Sequence, residues 1–179
     1  MNKNLRKSAI AGIVFAVILI PRIILEILLY LHKLTGFYLI LYYLVVIVTA
    51  AAFACFIWGF KVIGEKTKNK TLIIASEISI SIEILSVIKS IALAQYHPFA
   101  RIVLSIILAF LAGIAAIILG VGILRLKDKF GNLAKTAGIL NIICGASIAT
   151  ILFFFVFFMV YIPLMGLEIV LMLKAAKKL

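Results

Sequence analysis

The chain has 179 residues, a net charge of +12 and a hydrophobic content of 66%. A soluble domain is about 45–50% apolar, so this composition excludes a soluble fold and leaves no room for a separate catalytic module. Nucleic-acid binding is excluded as the meaning of the charge, because the lysines and arginines sit in short loops and tails, where the positive-inside rule places them; attraction to anionic lipid head groups follows instead.

A membrane-crossing helix needs about 20 apolar residues. The chain therefore has room for five or six spans in a single domain. The expected fold is all-α: a polytopic membrane bundle of six helices, with five as the alternative count and both termini in the cytoplasm.

Lys3, Arg6 and Lys7 precede the first span, Ser8 to Tyr30. This start resembles a signal peptide, but the apolar run continues through Leu31 with no cleavage site and polar mature chain, so it reads as a retained span. Pro21 should kink it. Arg22 and Glu26, four residues apart, can pair along one helix face. A short outer loop carries His32 and Lys33.

The second span, Phe37 to Ile63, opens on Tyr38, Tyr42 and Tyr43, which read as an aromatic belt. Its small-residue middle, Thr49 to Cys55, permits close helix approach. Trp58 and Lys61 mark the inner interface. Lys66, Lys68 and Lys70 fill the loop that follows.

The third span, Thr71 to Gln95, is the most polar. Ser76, Ser79, Glu83, Ser86 and Ser90 recur at steps of three and four. At about 100° per residue they fall within roughly 80° of one another. A charged group in hydrocarbon costs at least about 2.5 kcal/mol, so this stripe must face protein or water. Its expected covers are the small-residue faces of the second and fourth spans, and its expected acidic neighbour is Glu168. Lys89 lies toward the outer end, within snorkelling reach of head groups; Gln95, Tyr96, His97 and Pro98 end the span.

The fourth span, Arg101 to Leu124, has a small-residue face that includes Gly113 and Gly120. Arg125, Lys127, Lys129 and Lys135 then face one acid, Asp128. From Thr136 to Leu173 nearly forty residues are mostly apolar. One helix of that length spans about 57 Å at 1.5 Å per residue, nearly twice the hydrocarbon thickness. Two spans are expected, turning near Tyr161 to Gly166, where Pro163 and Gly166 supply the only punctuation. Lys174, Lys177 and Lys178 end the chain. The six-span count leaves fourteen of the 18 lysines and arginines on the cytoplasmic side.

A shift of 61 residues superposes Gly59 on Gly120, Lys66 on Lys127 and Lys68 on Lys129. Residues 37–95 and 98–156 then read as a parallel repeat of hairpins, an arrangement common in transporters. The polar stripe is not duplicated, apart from Ser86 opposite Ser147. The shared pattern, G-x-x-(V/I)-(I/L)-x-x-K-x-K over Gly59 to Leu72 and Gly120 to Leu133, with the ending Gly166 to Met172, resembles small multi-span membrane proteins of heat-loving archaea. It covers the middle half of the chain and implies an archaeal, thermophilic source without implying a chemistry.

Four of the six acids lie inside spans: Glu26, Glu77, Glu83 and Glu168. Glu77 stands about 100° round the helix from the stripe. Glu83, Glu77 and Glu168 with Ser76, Ser79, Ser86, Ser90 and Asn141 are candidates for a proton or cation pathway, or for hydrogen-bonded ties between helices. Lys66, Lys68, Lys70, Arg125, Lys127 and Lys129 are candidate lipid head-group contacts. Cys55 and Cys144 lack the spacing of a metal site or a disulfide framework, His32 and His97 show no metal spacing, and no hydrolase or nucleotide motif occurs. No catalytic residue, metal or cofactor is expected. The aromatic run Phe153 to Phe158 reads as lipid- or partner-facing surface.

Two function classes remain. One is a non-catalytic accessory or structural subunit of a larger membrane complex, in contact with the bilayer and with other subunits or copies of itself. The other is a small proton or cation transporter centred on Glu83.

Overall fold

Hydrocarbon offers no hydrogen bonds to the backbone, so a chain of this composition satisfies its peptide groups within helices. In the computed structural model, residues 2–31, 34–94, 98–150 and 154–179 are described, except for the side chains of 98 and 154–158. These residues form α1 (Lys3–Leu31), α2 (Phe37–Thr67), α3 (Lys70–Ala92), α4 (Pro98–Leu124), α5 (Lys127–Phe130), α6 (Asn132–Thr150) and α7 (Phe154–Lys178), with no strand among them. All but α5 are long and apolar enough to cross a membrane. The chain is a multi-pass membrane protein.

The connections at one end are tightly capped. Lys68 takes the left-handed conformation after α2, and its N–H reaches the carbonyls of Glu65 and Gly64. Asn69 then caps α3, its side-chain oxygen accepting the Leu72 N–H at 3.2 Å. The basic loop after α4 contains the single turn α5, which buries Phe130. Gly131, with φ of +68°, makes the reversal into α6 at a backbone conformation that favours glycine.

The long helices close into a ring. Each packs on the next in the order α1, α2, α3, α4, α6, α7, and α7 returns to α1. The closest seam joins α4 and α6. A Cβ at Gly113 would lie 2.6 Å from the Gly145 carbonyl oxygen, and one at Gly120 would lie 2.7 Å from that of Gly138. Packing of small residues replaces the hydrophobic effect as the attraction between helices in lipid. The glycine face of α4 therefore serves α6 rather than the polar stripe; Gly122, on the opposite side of α4, meets α3 at Leu72.

An apolar core fills the capped end. Leu5, Phe56, Phe60, Leu72, Ile123 and Met172 are all fully buried there. A smaller cluster of Leu25, Leu29, Tyr42, Val46 and Ala94 sits toward the other end. The outward faces are just as apolar: Ile10, Ile13, Val17, Ile20, Ile24 and Ile27 form an exposed row on α1. Such a row is at home only against acyl chains.

Both chain ends lie at the capped end. The Asn2 N–H donates to Ala176 O at 2.8 Å. Lys66 Nζ donates to Leu179 O at 2.9 Å, and Lys178 Nζ to Lys129 O at 2.6 Å. The crossings are thus even in number, which selects six spans over five.

Three sequence-based expectations are corrected. The last two spans do not turn near Tyr161 to Gly166: α7, described from Phe154 to Lys178, runs through Pro163 and Gly166 without a break. A membrane helix tolerates proline, since neighbours and local adjustment can re-satisfy the single carbonyl it frees. Glu168 consequently sits slightly to the capped-end side of the α7 midpoint rather than in the outer half of its span. Tyr42 is buried at 1% exposure and faces Ser90, so it does not join the exposed aromatic belt that begins at Phe37 and Tyr38. His32, Lys33, Gln95, Tyr96, His97, the Pro98 side chain and the aromatic run Phe153 to Phe158 lie outside the described residues and side chains.

Candidate functional site

The stripe on α3 does face protein. Ser76, Ser79 and Ser90 are buried, while Ile74, Ile78, Leu85 and Ile88 on the opposite side are exposed. The hydroxyls of Ser76 and Ser79 donate to the carbonyls of Leu72 and Ala75, one turn back, at 2.7 and 2.8 Å. This bond lets serine sit in a low-dielectric helix without a partner from another element.

Glu83, at the centre of the stripe, accepts a hydrogen bond from Arg22 Nη1 of α1 at 2.7 Å. The two side chains are 17% and 12% exposed, so the charges are largely out of solvent. One turn further along α1, Glu26 pairs with Lys89 of α3 at 3.6 Å. The expected pair between Arg22 and Glu26 is therefore replaced by two interhelical pairs. The physical reason is the parallel run of α1 and α3: arginine then glutamate on one helix meets glutamate then lysine on the other. Each pair spans from α1 to α3 past the intervening α2.

The network continues toward α4. Lys89 Nζ also donates to Ser105 Oγ at 2.9 Å, and Ser105 shares a 3.1 Å hydrogen bond with the Tyr30 hydroxyl. The Arg101 guanidinium lies 4.4 Å from the centre of the Tyr30 ring and donates to Leu29 O at 3.3 Å. Arg101 thus satisfies a carbonyl in the last turn of α1, where a cation is favoured by the helix dipole.

A second polar contact joins α6 and α7. Asn141 Nδ2 donates to Glu168 Oε1 at 2.6 Å, and both residues are 4% exposed. Among the described residues no cation pairs with Glu168. Tyr161 on α7 lies within electrostatic range of Glu168, Cys144, Glu83 and Arg22. Glu77 belongs to neither polar group: it pairs with Lys61 of α2 at 2.9 Å, and Lys61 also rests 4.6 Å above the Trp58 ring. Ser86 is half-buried on the stripe.

The six basic loop residues divide. Lys68, Lys70, Arg125 and Lys129 line one cleft of about 450 Å³ at the capped end, together with Asp128. Lys66 is spent on the chain terminus, and Lys127 does not line the cleft. Lys89, Tyr30, Arg101 and Tyr161 were not singled out as site residues in the sequence. Lys89 was legible only as a cation near the outer end of the most polar span; the tyrosines carried no signal.

The described residues contain no cluster of three or more metal-ligating side chains. No protein-family model, no curated protein and no solved structure matches the chain.

Proposed function

We propose that this protein is a non-catalytic structural or accessory subunit of a membrane assembly, with its capped, basic end in the cytoplasm and its apolar rim against lipid and partner spans. The observation that carries this reading is the internal pairing of intramembrane charge. Glu83 is spent on Arg22, Glu26 on Lys89, Glu77 on Lys61, and the Glu168 carboxyl on the Asn141 amide. The hydroxyls of Ser76 and Ser79 donate to carbonyls of their own helix. Groups held this way tie helices together, and a chain with no soluble part acts through the surfaces it offers neighbouring spans. The concentration of lysine and arginine at the capped end supports the orientation. Extraction in a mild detergent followed by native mass spectrometry is expected to yield this chain with other membrane proteins in a fixed ratio. A lone homogeneous monomer would overturn the reading.

One observation favours the second reading, a small proton or cation transporter. Glu168 is an ionisable group near mid-depth with an amide and no cation as partner, and such groups mark relays in pumps and transporters. On that reading Glu168, rather than Glu83, is the exchanging carboxyl. In reconstituted vesicles, Glu168→Gln would abolish proton or cation flux while Glu77→Gln left it unchanged. Absence of any flux from the unaltered protein removes this alternative.

A further inference from the structure

We propose that the cleft between residues 67–70 and 125–129 is a one-per-chain binding site for a phosphate group carried on a polyol. The inference does not depend on the subunit reading. Its first support is charge: four cations and one carboxylate line a single recess, and none of the five forms an ion pair among the described residues. The excess of positive charge is therefore not neutralised by the protein. Other lysines at this end are spent on carbonyls: Lys66 on Leu179, Lys174 on Phe130 and Lys178 on Lys129.

The second support is that the walls are braced. The buried Asn69 side chain caps α3 and also donates to Gly122 O at 2.7 Å, fixing the first loop to the end of α4. Arg125 Nη1 is oriented by the Thr71 hydroxyl at 2.6 Å, which leaves the rest of its donor fork for a phosphate oxygen. The bonds from Lys174 and Lys178 hold α5, the wall that carries Asp128 and Lys129. The volume of about 450 Å³ is that of a small-molecule site. Asp128 fixes the ligand class further. A carboxylate repels a bare phosphate but accepts hydrogen bonds from hydroxyls, so a phosphate bearing neighbouring hydroxyls suits the lining better than phosphate alone.

This chemistry occurs in a lipid head group and in a soluble sugar or glycerol phosphate. Delipidated protein in mild detergent would be offered phosphatidylglycerol or phosphatidylcholine and examined by native mass spectrometry; glycerol 3-phosphate and inorganic phosphate would be titrated separately by thermal shift. One phosphatidylglycerol retained per chain, with phosphatidylcholine lost, identifies the lipid source. Saturation by glycerol 3-phosphate without lipid retention identifies the soluble source. The double variant Arg125→Gln/Lys129→Gln is expected to weaken the retained interaction roughly tenfold, as loss of charge-assisted bonds should. Lys135→Gln/Lys177→Gln removes the same charge from outside the cleft and should leave it nearly unchanged. If the first variant does not fold, Lys68→Gln/Lys70→Gln tests the opposite wall with the same expectation. Equal weakening by cleft and control variants, or binding that does not saturate at one per chain, overturns the proposal.

Discussion

Replacing Arg22 by glutamine is expected to lower the stability of the folded bundle by about 3 kcal/mol, the lower end for breaking a buried pair. The pair is short, at 2.7 Å, and both side chains are mostly buried. The substitution leaves Glu83 charged with no nearby cation to spare, since Lys89 is engaged by Glu26 and Ser105. Glu83→Gln should cost clearly less. It strands Arg22, but Glu26, one turn away on the same helix, already lies within electrostatic range of Arg22 while it pairs with Lys89. The double variant Arg22→Gln/Glu83→Gln removes both charges and should recover most of the loss, because a hydrogen-bonded pair of amides carries no ion desolvation penalty. Thermal unfolding of the purified protein, arranged as a double-mutant cycle, measures this. Additive losses in the double variant would show that the two residues do not act as a pair.

The second large effect is expected at the seam between α4 and α6. Gly145→Val places side-chain atoms where the Gly113 carbonyl and Ile117 already stand; even the first carbon would lie 2.5 Å from that oxygen. The clash is with backbone, so no side-chain rotation relieves it, and the helices must separate. A cost of about 3 kcal/mol is expected, the upper end of ordinary overpacking. Gly166→Ala is the control. Nothing lies within 4 Å of a Cβ built there, and the position is helical. This change should be neutral or stabilising by up to about 1 kcal/mol, since alanine is the better helix former. Melting temperatures of the two variants against the unaltered protein decide the matter. A Gly145→Val protein as stable as the original would show that α4 and α6 do not meet through these glycines.

Much of the architecture was written in the sequence. Apolar runs of membrane length separated by lysine-rich loops define the spans, and the spacing of Ser76, Ser79, Glu83, Ser86 and Ser90 places them on one inward face. The six-span count was legible from the charge of the tail, and the packing of Asn2 against Ala176 agrees with it. The turn between the last two spans was misread because proline and glycine are strong breakers in water but weak ones in lipid. Pro163 and Gly166 stay inside α7.

The site was less legible, for a different reason. Local spacing suggests that Arg22 pairs with Glu26, since both lie on one helix. Partner choice across helices depends on the relative height of α1 and α3, which no local pattern encodes. The burial of Tyr42 and the position of Tyr161 beside two polar groups likewise arise only from tertiary packing. The division of the loop lysines between carbonyl partners and the cleft has the same origin.

The seam between α1 and α7 sets an order of events during synthesis. The apolar core at the capped end contains Leu5 and Ala9 from the first helix and Leu171, Met172, Ala175 and Ala176 from the last. It cannot be completed until α7 has left the ribosome, and its contacts join the first described helix to the last. The charge pairs between α1 and α3 need only the helices up to α3. One end of the bundle therefore gains its ties early, and the other is sealed only once α7 has emerged. Until then the buried face of α1 stands without its final neighbour, α7.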